Sequence, residues 1–231
     1  MGWHVQGMRA KYSGSITFNG ATYHVDPEIS YGYQDKNFGS DFTNPWYWIS
    51  CNNFKGSPNS SLVVGGGQPV LLGLPVGKKV LVAFSHKGEQ FYKWNFADVP
   101  FGSPPDYIKQ TIDVGQDGDN IQWSISSEDP NYRIVTNMSC PRSKMLLVRY
   151  ENPDGFFNHK QLWNGAHLTG NVQLYSKVKT GANKGDWALV ETLTCERGAG
   201  EYGEYQKAVP SYPPVETAVA PPSNIVPPPT H

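Results

Sequence analysis

Asp35 and Lys36 lie inside an aromatic stretch, Tyr31-Gly32-Tyr33-Gln34-Asp35-Lys36-Asn37-Phe38-Gly39, and are the ionisable pair whose setting best suits acid chemistry. Aromatic surroundings of low dielectric favour the neutral form of a carboxylic acid, the form from which a proton is donated. A loop ion pair or a turn cap would use the same two residues, because perturbed groups also serve structure. Asn37 and Asn52 add amide groups that could fix a ligand oxygen or satisfy loop backbone. Trp46, Trp48, Trp94, Trp123 and Trp163 would give a barrel interior an aromatic surface suited to a flat or prenyl-like apolar ligand and able to stabilise a passing cation. Core packing is the alternative use of each of these tryptophans.

Other chemistries find no support in the spacing. The histidines His4, His24, His86, His159, His167 and His231 never place two ligands on one element, so no metal site is expected. Gly65-Gly66-Gly67 is followed by neither a Lys-Ser/Thr pair nor an amphipathic helix, which excludes a phosphate loop. Ser30, Ser50 and Ser139 lack a nucleophile elbow. Cys51, Cys140 and Cys195 are far apart, odd in number and form no CxxC, so reduced structural thiols are expected. No cofactor is implied.

The elements that must hold these residues read as strands. Residues 31–39 have neither helical nor strand period and read as a site loop. Residues 45–52 follow as a strand carrying Trp46, Trp48, Ser50 and Asn52 on one face. The alternating apolar residues around Asn19-Gly20 predict a hairpin over 14–25. Residues 61–67 read as a strand bending at its glycines, and 78–84 with 89–96 as a second hairpin. Further hairpins are expected for 107–114 with 120–127, 132–140 with 144–150 around Pro141-Arg142-Ser143, and 169–179 with 187–196. Residues 151–167 read as a longer loop. The spacing is that of an all-β, antiparallel, up-and-down barrel of about ten strands.

With 19 basic and 20 acidic residues the formal charge is −1, which leaves no electrostatic footprint for nucleic acid. No apolar run is long enough for a membrane-spanning helix, and the first residues lack the apolar core of a signal peptide, so a cytoplasmic location is expected. The expected organisation is a lead-in over 1–11 that does not read as a natural domain start, a barrel over 12–205, and a disordered Pro-rich tail over 206–231.

Gly32-Tyr33, Lys36-Asn37 and Gly39, followed by Phe42, Trp46 and Trp48, resemble a motif of the tocopherol cyclase-like family. Cys140-Pro141, Leu162-Trp163-Asn164-Gly165 and Gly200-Glu201-Tyr202-Gly203-Glu204-Tyr205 are similar to its later blocks. The resemblance implies a lipocalin-like barrel, in a group shared with carotenoid hydratases and some fungal Diels-Alderases, of which this chain holds only the second barrel. It implies protonation of a prenyl double bond and capture of the resulting cation by a phenol oxygen, without cofactor. Asp35 and Lys36 would be catalytic, and Tyr33, Asn37, Trp46, Trp48, Asn52 and Trp163 would bind an apolar small molecule. A lone barrel would bind weakly or form a homodimer. The alternative is a lipocalin-like binder that does no chemistry. Phe38 stands where many members carry Trp.

Overall fold

The computed structural model describes residues 2–39, 43–68, 70–71, 74–75, 77–95, 108–150 and 159–204. Phe42 and the expected tail lie outside them. The described part is almost entirely antiparallel β-structure, with one 3₁₀ turn at Arg142–Lys144 and no α-helix among these residues.

The strands in chain order are β1 Gly2–Lys11, β2 Gly14–Phe18, β3 Ala21–Val25, β4 Tyr31–Phe38, β5 Trp46–Cys51, β6 Ser61–Gly67, and the two-residue β7 Val70–Leu71 and β8 Leu74–Pro75. They continue as β9 Lys79–His86, β10 Gln90–Trp94, β11 Lys109–Asp117, β12 Asn120–Glu128, β13 Tyr132–Pro141, β14 Met145–Tyr150, β15 His159–Lys177 and β16 Trp187–Glu204. Ten of them form one curled sheet in the order β10-β9-β6-β5-β16-β15-β13-β12-β11, with β14 also pairing β15. Most neighbours are consecutive, and the late strand β16 returns beside β5, the pattern of a lipocalin-like up-and-down barrel.

Residues of alternate parity define the core. Tyr47, Ile49 and Cys51 of β5 join Leu62, Val64, Val82, Phe84, Trp94, Trp123, Ile125, Ile134 and Leu174 in one buried cluster. Gln110 of β11 bridges to β9 where β10 no longer covers it. Its side chain donates to Val80 O at 2.6 Å and accepts from Val80 N at 3.3 Å. A side-chain amide thus satisfies strand-edge backbone that would otherwise face an apolar interior.

The expected hairpins over 14–25 and 169–196 are present, as are those expected over 78–96 and 107–127 within their described residues, 78–95 and 108–127. The first turns through Asn19 at φ 49° and Gly20 at φ 78°, the positive angles its Asn-Gly pair accommodates.

Four expectations are corrected. Residues 31–38 form a strand, not a loop, and pair with the lead-in segment β1. Asp35 broke the apolar alternation in the sequence, yet partners across the fold satisfy its carboxylate. β13 does not pair with β14. The two follow one another along the same side of β15, interrupted where Pro141 and the 3₁₀ turn lead the chain off the ladder. β15 accordingly begins at His159, inside the expected loop. Cys51 and Cys195 form a disulfide at a Cα–Cα separation of 6.4 Å, joining β5 to β16 across 144 residues, whereas Cys140 is a free buried thiol.

Candidate active site

β5 turns its second face, with Trp46, Trp48 and Ser50, away from the core cluster and toward the β1–β4 ribbon. Glycine in β6 makes the approach possible. A Cβ at Gly65 would fall 2.5 Å from the Trp3 ring, so the indole of β1 lies directly on the sheet. From β4, the Tyr33 ring meets Trp48 at a centroid distance of 5.1 Å and an interplanar angle of 55°. Asn52 donates to Met8 O at 3.5 Å and ties the end of β5 to β1.

Asp35 lies at the centre of this contact. Its Oδ2 accepts the Trp3 indole N–H at 2.6 Å and the Tyr33 hydroxyl at 2.9 Å. Burial pushes the Tyr33 phenol well above its ordinary range, and the Asp35 carboxylate adds to this while the Trp48 and Trp3 indoles oppose it. Tyr33 therefore stays a neutral donor. The Trp48 Nε1–H is buried and finds no hydrogen-bond acceptor among the described residues.

A second carboxyl group belongs to the same face. Glu201 of β16 stands opposite Trp48 on β5 and Asn164 on β15. Its Oε1 accepts from Asn164 Nδ2 at 2.7 Å and its Oε2 from Trp46 Nε1 at 3.3 Å. Its backbone carbonyl accepts the N–H of the core residue Trp123 at 3.2 Å. Burial raises the Glu201 pKa, the Trp46 hydrogen bond opposes that, and the negative charge of Asp35 raises it further. Trp46 fits here because Gly203 leaves room, a Cβ there meeting the indole at 2.8 Å.

Tyr33, Asp35, Trp46, Trp48 and Asn52 are thus gathered between ribbon and sheet, whereas three other expected residues are not. Lys36 projects from the opposite face of β4 and is exposed, and Asn37 is exposed at its end. Trp163 lies on the core face with Tyr202, under the Arg142 guanidinium at 5.6 Å. The five tryptophans expected to line the interior are divided between the two faces of the sheet, with Trp163 on the core side. Trp94 and Trp123 are fully buried in the core, and Trp46 and Trp48 are on the other face. Trp3, Asn164 and Glu201 were missed as site residues. The available signal was a glutamate flanked by glycines within an aromatic strand, Gly200-Glu201-Tyr202-Gly203.

A lipocalin-like β-barrel that carries, on its outer face, two carboxyl groups among indoles and a phenol defines the class of this protein. The family model described as tocopherol cyclase-like matches residues 1–183, and the chain belongs to that family. It is 27% identical over 124 residues to a protein of Oryza sativa subsp. japonica named probable tocopherol cyclase, chloroplastic, covering 53% of this chain and 23% of that one. It is 29% identical over 96 residues to the tocopherol cyclase, chloroplastic, of Zea mays, covering 40% of this chain and 20% of that one. The matches therefore span about a quarter or less of these relatives' length. No solved structure matches the chain. Among the described residues no helix is long and apolar enough to cross a membrane, and no cluster of metal-ligating side chains occurs.

Proposed function

We propose that this chain catalyses acid-assisted, cofactor-independent ring closure of a prenylated phenol or hydroquinone, or of a comparable polyene. The observation that carries the reading is Asp35 held between the Trp3 indole and the Tyr33 phenol, against Trp48, in a member of the tocopherol cyclase-like family. The chemistry needs a proton source, an aromatic surface for a tertiary cation, and exclusion of water that would otherwise trap that cation. The carboxyl groups answer the first need. Trp46, Trp48 and Tyr33 answer the other two. The proton adds to the prenyl double bond, whose π pair becomes the new C–H bond. The phenol oxygen then closes on the cation and loses its own proton. Substrate and product are isomers, so no co-reactant is required.

Purified protein incubated in deuterated buffer with a methylated hydroquinone bearing a prenyl tail tests this. A chroman carrying one non-exchangeable deuterium is the expected product. Recovery of the bound hydroquinone unchanged would replace the enzyme with a non-catalytic binder.

A further inference from the structure

Within that cyclase reading, we propose that Glu201 delivers the proton and that Asp35 is the anion paired with it. The two residues come from different layers, Asp35 from the ribbon and Glu201 from the main sheet: Trp48, opposite Glu201 on β5, packs on the Tyr33 ring, whose hydroxyl Asp35 holds, and the Asp35 charge raises the Glu201 pKa. Their hydrogen bonds separate the roles. Asp35 Oδ2 receives two donors, an indole N–H and a phenol O–H, the environment of a carboxylate that holds negative charge. Glu201 accepts one weaker bond at 3.3 Å and one amide bond at 2.7 Å, which leaves a protonated carboxyl able to direct its O–H toward a substrate. Two carboxyl groups in one another's field resist double ionisation, and burial together with the Asp35 charge raises the Glu201 pKa, which favours its protonated form.

The groups facing Glu201 are Asp35 from β4, Trp46 and Trp48 from β5, and Asn164 from β15, with Tyr33 of β4 packed behind Trp48 and bonded to Asp35. Tyr33 is kept neutral, which leaves Asp35 as the charged member of the set. The Trp123 N–H on the Glu201 carbonyl fixes the donor's backbone from inside the barrel. The step balances as an acid cycle. The Glu201 O–H bond breaks as the C–H bond forms on the alkene, and the phenolic proton released at ring closure returns to the Glu201 carboxylate.

The test uses the full chain and the prenylated hydroquinone. Glu201→Gln should lower kcat by about 10²- to 10⁴-fold with little change in KM. Asp35→Asn should move the alkaline limb of the wild-type kcat profile to lower pH, because removing the neighbouring negative charge makes the acid easier to ionise. A side-chain carboxyl titration by carbon-13 NMR, followed in the wild type and in Asp35→Asn, reports Glu201 without depending on turnover or on the folding of the Gln variant. It should place Glu201 above the ordinary glutamate range, and lower in Asp35→Asn. Full turnover in Glu201→Gln, or ordinary titration of Glu201, overturns the donor assignment and leaves the cyclase reading intact. A wild type that closes no ring overturns both.

Discussion

Trp3 and Asp35, 32 residues apart in the chain, are joined by an indole-to-carboxylate hydrogen bond of 2.6 Å, and that bond fastens the β1–β4 ribbon around its own acid. The indole ring rests on Gly65 of the main sheet, so the same residue packs with its face and donates with its edge. Trp3→Phe keeps the packing and removes the donor. A hydrogen bond to a charged group contributes about 1.5 to 3 kcal/mol, and denaturant unfolding of Trp3→Phe should show a loss in that range.

Asp35→Asn is nearly isosteric and keeps an oxygen to accept from Trp3 and Tyr33. The fold should persist by circular dichroism. Turnover of the prenylated hydroquinone should persist, with the alkaline limb of its pH profile moved to lower pH, because the negative charge beside Glu201 is gone. An alkaline limb that does not move would remove Asp35 from the reaction.

Away from the site, Glu191 gathers Lys87, at 2.8 Å from its Oε2, and His86. These two contacts, Lys87 first, hold the Glu191 carboxyl below its ordinary value. Its contribution to stability is therefore present above the ordinary glutamate pKa and is lost as pH falls through the lowered folded value. The carboxyl is 30% exposed, so the effect is modest, about 1 kcal/mol or less. Glu191→Gln should be less stable than the wild type at pH 7, and the difference should shrink as acid titrates the wild-type carboxylate. A gap that stays constant with pH would contradict the assignment.

Local chemistry was readable wherever neighbours in the chain are also neighbours in space. The Asn19-Gly20 turn and the alternation of β9, β12 and β16 are of this kind. What the sequence hid depends on contacts between distant segments. β4 looked like a loop because ionisable and aromatic side chains mix in it without a period, and the Trp3 donor that helps the Tyr33 hydroxyl satisfy half-buried Asp35 lies on a strand 32 residues away. The face shared by Trp46 and Trp48 was legible, but not which side of the sheet it would occupy, because strand alternation separates two faces without saying which one closes on the core. Glu201 was hidden for the same reason, its partners Asp35, Trp46 and Asn164 being spread over three other strands.

The Cys51–Cys195 disulfide joins β5 to β16, the two strands that also carry Trp46, Trp48 and Glu201. Isolated residues so far apart gave no pairing signal, yet the return of β16 beside β5 brings their Cα atoms to 6.4 Å. A bridge closing a loop this long restricts the unfolded chain strongly, and removing such a bridge costs about 2 to 4 kcal/mol. Cys51→Ser with Cys195→Ser should therefore lower the unfolding midpoint. Cys140 supplies the internal control. Burial raises its thiol pKa, so it should resist alkylation in the native protein and react only after unfolding. Thiol counting in denaturant, with and without reductant, should give one reactive cysteine before reduction and three after, and three before reduction would show that the bridge does not form.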